Sequence, residues 1–319
     1  MSDPVIFTEQ LSKTYGFLFT RKKKPSLKSL SVSIPRGSVF GFLGPNGAGK
    51  TTTIRILMGL IRPTSGTAQV LGKPVWDVPV KKRIGFLPDT PAFNGMMTAA
   101  EFLNVCAKLY GLDRHERAER IREVLETVQM TAHAKEKIAS FSRGMLQRIG
   151  VAQTLLNKPE LLILDEPLLG LDPYGRQDFK DIILSQSKKG VTVFFSSHIL
   201  SDVQDICDHA AILNKGNLLC CGSLKELLQA KGCTVRLRNA DHLLTELMGD
   251  AKKIQKLEDG TRELVFPEKT PELAAKLAAM KEAEAEKIEI FEQNESLEDY
   301  FFRVIEKDNQ NQEEKEQEK

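Results

Sequence analysis

The chain has 319 residues, 41% of them hydrophobic and 28% charged, with five cysteines and a formal net charge of +2. At roughly 150 residues per domain that length suggests two domains, and the mixture excludes a collagen-like, coiled-coil or wholly disordered chain. The near-neutral total hides a division: residues 1–222 carry 29 Lys and Arg against 20 Asp and Glu, a net +9, whereas the remainder carries 16 against 23, a net −7. No run approaches the roughly 18–20 consecutive apolar residues of a membrane span. The N-terminus lacks a basic stretch leading into an apolar one, so no secretory signal is expected. The cysteines form no CxxC pair and no zinc spacing with histidine, and reduced structural thiols are expected.

Residues 5–7 and 27–34 alternate as strands, and Pro35 to Gly37 reads as a turn. Between the strands lies the basic run Arg21 to Lys24, either a solvated hairpin tip or a contact for anionic lipid headgroups. Residues 39–43 form an apolar run of buried-strand type that enters a glycine-rich loop, followed by a helix over 51–60. Residues 99–130 and 144–157 read as helical, with Asp113 as N-cap of a charge-rich segment. Residues 161–164 and 191–195 are two more buried-type strands separated by helix. Strands alternating with helices in this way imply a mostly parallel α/β sheet. After Gly222 the pattern changes to a small α+β domain over 223–307. It holds strands at 233–238 and 287–292, a hairpin about Asp259-Gly260, helices at 241–248 and 271–280, and an amphipathic segment over 297–305. From Asp308 only Asp, Asn, Gln, Glu and Lys occur, and residues 308–319 are expected to be a disordered polar tail.

Gly44 to Thr51 reads GPNGAGKT, the G-x-x-x-x-G-K-[ST] phosphate loop, set between a buried strand and a helix. Glycines let the backbone curl so that its N–H groups converge on phosphate oxygens, and the helix adds its positive end. Lys50 is placed for the β- and γ-phosphates, and Thr51 for Mg²⁺. Gly44, Asn46, Gly47, Gly49 and Thr52 complete the loop expected to bind nucleotide. The guanine-reading Asn-Lys-x-Asp is absent, because Asn157-Lys158 and Asn214-Lys215 both lack the Asp, which weighs against a GTPase. The apolar strand at 161–164 ends in Asp165-Glu166. Asp165 is placed to hold Mg²⁺, and Glu166 projects beyond it to orient or deprotonate the attacking water.

With these residues the sequence resembles the nucleotide-binding subunit of ATP-binding cassette (ABC) transporters, over about residues 4–222. Phe141-Ser142-Arg143-Gly144-Met145 looks like the family's signature segment, 23 residues before Asp165 to Ser142. Gly170 to Pro173 resembles its D-loop, Ser196-Ser197-His198 its switch histidine, and Tyr15 sits where the family stacks an aromatic on adenine. The resemblance implies a P-loop NTPase of the ABC ATPase fold. That means a RecA-like parallel sheet, an antiparallel β subdomain and a helical subdomain over about 88–157, here with the added C-terminal α+β domain. It implies an ATPase using ATP and Mg²⁺, in which His198 contacts the γ-phosphate. Ser142, Gly144 and Asp172 would serve a nucleotide held mainly by a second subunit, so a homodimer is expected. A separate transmembrane permease is the expected partner, placing the subunit in the cytoplasm at the inner face of the membrane. The motifs look most like ABC-2 type exporters. No nucleic-acid partner is expected. The rival is a soluble ABC-type ATPase acting on nucleic acid or ribosomes. Asp89, in Phe86-Leu-Pro-Asp89, stands where the family usually offers a Gln to Mg²⁺ and water, and is assigned a catalytic and metal role that its charge leaves open. The stretch 88–97 is a candidate contact for the permease or a loop packing on its own helices.

Overall fold

The computed structural model describes residues 3–17, 20–228, 232–238, 243, 247, 249, 251–257, 259–266, 270–283, 287–293 and 295–317. The chain divides into two compact units, one of Met1–Leu224 with Val304–Lys319 and one of Lys225–Arg303.

In the first unit, β1 (Ile6–Phe17) and β2 (Thr20–Ile34) form a long antiparallel hairpin, and β4 (Ser65–Val70) and β5 (Lys73–Pro74) extend it into a four-stranded sheet of order β2-β1-β4-β5. The hairpin reaches well past the strands expected at 5–7 and 27–34. The basic run expected at its tip lies inside the ladder, with Lys24 opposite Tyr15 and Lys23 opposite Gly16. A second sheet of six strands comprises β3 (Val39–Leu43), β6 (Ile84–Leu87), β7 (Leu161–Leu164), β8 (Thr192–Ser197), β9 (His209–Asn214) and β10 (Asn217–Ser223). Its order is β10-β9-β3-β8-β7-β6, parallel except for the β9–β10 hairpin. The strands β3, β7 and β8 are buried along their whole length, which is why they read as continuous apolar runs rather than alternating ones. Phe40 and Phe42 pack on Phe194 with ring centroids 5.9 and 5.2 Å apart. Full burial of such side chains contributes about 1.5–3 kcal/mol each and locks β3 to β8, the two strands that deliver the site.

The helices of this unit are α1 (Lys50–Leu57), α2 (Ala99–Tyr110), α3 (Arg114–Thr127), α4 (Arg143–Leu155), α5 (Pro173–Lys188) and α6 (Leu200–Ile206), and α7 (Leu224–Leu227) begins at its last residue before the division. The helical span expected over 99–130 is two helices. Gly111, in the left-handed region at φ 87°, ends α2, and Asp113 starts α3 with a capping box closed by Glu116. Phe93, in the 88–97 stretch, makes an edge contact with Phe102 of α2 at 5.2 Å, while Met96 is exposed.

The second unit has a four-stranded antiparallel sheet of β11 (Gly232–Leu237), β12 (Lys253–Lys256), β13 (Arg262–Phe266) and β14 (Ile288–Gln293), in the order β12-β13-β11-β14. Helix α8 (Pro271–Ala283) places Leu273 and Leu277 among Val235, Leu264 and Phe266. The hairpin turn forms as expected, with Gly260 at φ 84° and the Asp259 carboxylate accepting from the Thr261 N–H at 3.0 Å. The helix expected over 241–248 falls mostly outside the described residues.

The last helix, α9, runs Leu297–Gln317. The tail expected to be disordered from Asp308 therefore continues a helix up to Gln317. Composition gave the wrong answer there because an anchored polar helix needs no apolar face of its own: Asn214, at the end of β9, donates to Asp308 at 2.8 Å.

Candidate functional site

Strand β3 ends at Leu43, and the chain turns through the glycine-rich loop into α1. Gly49 precedes the helix at φ 114°, a left-handed conformation. A Cβ there would lie 2.7 Å from both the Leu27 side chain and the Ser26 carbonyl oxygen. Only glycine meets both demands. The first N–H groups of α1 have no intrahelical acceptors, so they point as donors into the space the loop encloses.

That space is a cavity of about 380 Å³. The loop from Pro45 to Thr52 lines it, and Ser26, Asp89, Glu166, Leu169 and His198 close it. Five elements thus bring together residues spread over more than half the chain: β2, the phosphate loop, the end of β6, the end of β7 and the end of β8. Parallel strands make this possible, since β3, β6, β7 and β8 all present their carboxyl ends to one edge.

The charges are interlocked. Lys50 is buried, and its Nζ donates to the Gly44 carbonyl at 2.7 Å and pairs with Glu166 Oε1 at 3.1 Å. The other oxygen, Glu166 Oε2, lies 2.8 Å from His198 Nδ1. Glu166 holds a left-handed backbone at φ 48°, fixed by its own N–H donating to Ser196 Oγ at 2.8 Å. A non-glycine residue in that region carries strain that the surrounding structure must overcome. Here it aims the carboxylate into the cavity between a cation and a histidine.

Asp165 is 2% exposed and accepts from Ser196 Oγ at 2.6 Å and Thr51 Oγ1 at 3.4 Å. Burial pushes its carboxyl above the usual aspartate range, the Ser196 and Thr51 hydrogen bonds oppose this, and the charges of Asp89 and Glu166 push it further up. A hydroxyl and a carboxylate side by side, with acids around them, form a hard oxygen donor set that suits Mg²⁺. Among the described residues no cluster of three or more His, Cys, Asp or Glu could hold a metal alone.

The chain matches the ABC transporter family over residues 27–169. An uncharacterized ABC transporter ATP-binding protein of Synechocystis is 42% identical over 311 residues, covering 94% of this chain and 84% of that protein. The chain belongs to the ATP-binding proteins of ABC transporters. The bacitracin transport ATP-binding protein of Bacillus licheniformis is 42% identical over 218 residues, covering 67% of this chain and 68% of the relative. A solved ATP-binding subunit of an ABC transporter superimposes with TM-score 0.62 at 30% identity, covering 70% of this chain and 91% of that one.

In this ABC ATPase the remaining expected residues lie away from the cavity. Ser142 is the N-cap of α4, its Oγ accepting from the Met145 N–H at 3.3 Å. Asp172 is the N-cap of α5, its Oδ1 accepting from the Gly175 N–H at 2.7 Å. Gly144 lies against Leu171, so the signature segment and the D-loop are neighbours. Gln147 of α4 also donates to the Pro167 carbonyl at 2.7 Å, which ties the signature helix to the turn just after Glu166. None of Ser142, Gly144 and Asp172 lines the cavity of their own chain. Tyr15 does not line it either; its ring is 40% exposed, with Lys13 Nζ 5.3 Å from its centre.

Two functional groups escaped the sequence reading. Ser26 lines the cavity and shares a 2.9 Å hydrogen bond with the Thr52 hydroxyl. Ser196 holds both Asp165 and the Glu166 backbone. Ser196 sits in the quoted Ser-Ser-His motif, but attention fell on His198; Ser26 carries no local signal at all, since only the packing of β2 on the loop brings it there.

Proposed function

We propose that this ABC ATPase binds Mg²⁺ and ATP in the cavity, hydrolyses ATP there, and powers a separate transmembrane permease that exports its substrate, as the likeness to transport and resistance ATPases supports. The observation that carries this reading is the convergence of Lys50, Glu166 and His198 on one cavity at the mouth of the phosphate loop. On ATP binding Lys50 gives up its contact with the Gly44 carbonyl for the β- and γ-phosphates. The α1 N–H groups and the Asn46–Thr52 backbone cradle the remaining phosphate oxygens. Thr51 and Asp165 would hold Mg²⁺, with Asp89 contributing negative charge nearby; the ion would neutralise charge developing on the phosphates. Freed from Lys50, Glu166 accepts the proton of the attacking water, and His198 both orients Glu166 and contacts the γ-phosphate. Tyr15 offers an exposed ring for the adenine.

A second subunit completes each site. Ser142, Gly144 and Asp172 do not line their own cavity, and Ser142 and Asp172 cap helix N-termini suited to anions, which supports a homodimer whose subunits share two nucleotides. Among the relatives, the Bacillus licheniformis protein is named for bacitracin transport and a Bacillus subtilis protein, 39% identical over 228 residues, for linearmycin resistance. Those names support export over import. Among the described residues no helix is long and apolar enough to cross a membrane. A gentle pull-down of the tagged chain from native membranes tests the reading. Stoichiometric recovery of an integral membrane protein is expected, and recovery of ribosomes or nucleic acid instead would refute it.

A further inference from the structure

The C-terminal helix is bonded to Asn214, two residues before a glycine whose N–H donates into the phosphate loop. Asn214 closes β9 with its side chain 3% exposed, and its amide donates to Asp308 Oδ2 at 2.8 Å and to Asn309 Oδ1 at 3.3 Å. Gln312, one turn further along α9, donates to the same Asp308 oxygen at 2.6 Å and holds that carboxylate in place. After Asn214 the chain makes a tight turn through Lys215 and Gly216, both with positive φ. The Gly216 N–H then donates to the Ala48 carbonyl at 2.9 Å, inside the phosphate loop, and the Gly216 carbonyl accepts from the Lys28 N–H at 2.8 Å. An added Cβ at Gly44 would meet the Leu213 carbonyl oxygen at 2.5 Å, so the residue before Asn214 is also packed directly on the loop. A buried amide left unpaired costs more than an exposed one, so the position of this turn depends on what accepts from Asn214.

We propose that Asp308 is a positioning residue for nucleotide binding: through Asn214 and the 214–216 turn, the C-terminal helix braces the phosphate loop in its phosphate-accepting shape. Asp308 touches neither the cavity nor Glu166, His198 or Lys50. Its loss acts on binding rather than on the chemical step. The inference rests on the reading of the cavity as the nucleotide site.

The test measures mant-ATP affinity and steady-state ATPase of the full chain with Mg²⁺. Asp308→Ala should weaken mant-ATP about three- to tenfold, part of the worth of a charge-assisted hydrogen bond. It should raise KM alike while kcat stays within about twofold, the signature of lost uniform binding. Asp308→Asn keeps an acceptor oxygen and should bind as wild type does. Asn214→Asp sets two carboxylates against each other and should weaken binding, and Asn214→Asp with Asp308→Asn restores a donor opposite an acceptor and should recover it. The swap decides the matter if Asp308→Ala does not fold. A merely structural contact would lower the melting temperature without this KM split or this rescue. Unchanged affinity in Asp308→Ala, or no recovery in the swap, overturns the brace while leaving the nucleotide site intact. Failure of the wild-type chain to bind mant-ATP overturns the site reading, and the brace with it.

Discussion

Replacing Glu166 by Gln removes one charge and one base while leaving shape almost unchanged. The structure says which property suffers. Lys50 keeps its 2.7 Å bond to the Gly44 carbonyl, so its buried ammonium is not orphaned. The left-handed backbone at φ 48° is held by Ser196 and is indifferent to the change of side chain. Folding stability should therefore move by no more than about 1 kcal/mol. Hydrolysis should move far more. A positioned general base contributes about 10²- to 10⁴-fold, equivalent to about 3–5 kcal/mol of barrier. Phosphate release by the Glu166→Gln protein should fall by that factor while mant-ATP binding persists, and the protein should accumulate as an ATP-bound dimer on gel filtration. If release stays within about threefold of wild type, the carboxylate between Lys50 and His198 is not the base.

Asp202 tests a different part of the molecule. It is 1% exposed on α6, four residues after His198, and pairs with Arg176 and with Lys180, the latter at 3.0 Å. Asp202→Ala strands Arg176 on α5, while Lys180 keeps its pair with Asp205, and should cost about 1–3 kcal/mol in urea unfolding, a loss under about 0.5 kcal/mol counting against the network. Glu160 is held below the usual glutamate range by hydrogen bonding to Arg83, its side chain 44% exposed. A depressed carboxyl stabilises the fold above its unfolded value of about 4.3 and ceases to as pH falls through the lower folded one. The stability difference between wild type and Glu160→Gln should then be under about 1 kcal/mol at pH 7 and vanish in acid. A difference that grows on acidification would reverse the sign.

Much of the catalytic end was legible because it is local. A buried strand, glycines where the backbone turns left-handed, and Lys-Thr at the start of a helix specify a phosphate loop within a dozen residues, whatever the rest of the chain does. The same holds for Asp165-Glu166 at the end of an apolar strand and for Asp113 as a helix cap. The hairpin was less legible: the basic run looked like a tip because strand pairing with Tyr15 and Gly16 leaves no mark in composition. Ser26 and Ser196 were passed over for the same reason, since a serine becomes part of a site only through what lies opposite it.

The charge division separates in the same way. The sequence by itself determined a basic cassette, with its phosphate loop and acidic strand end, and an acidic appended segment, because those are properties of residue types and short periods. Only the tertiary structure decided that residues 50, 166 and 198 share one cavity, with Asp165 bonded to Thr51 beside it, since parallel strands align ends that lie far apart along the chain. It alone decided that the polar C-terminus is a helix bonded to Asn214 beside the phosphate loop. A tail with no apolar face can be ordered only by a partner group elsewhere in the fold, and no reading of the tail alone contains that partner.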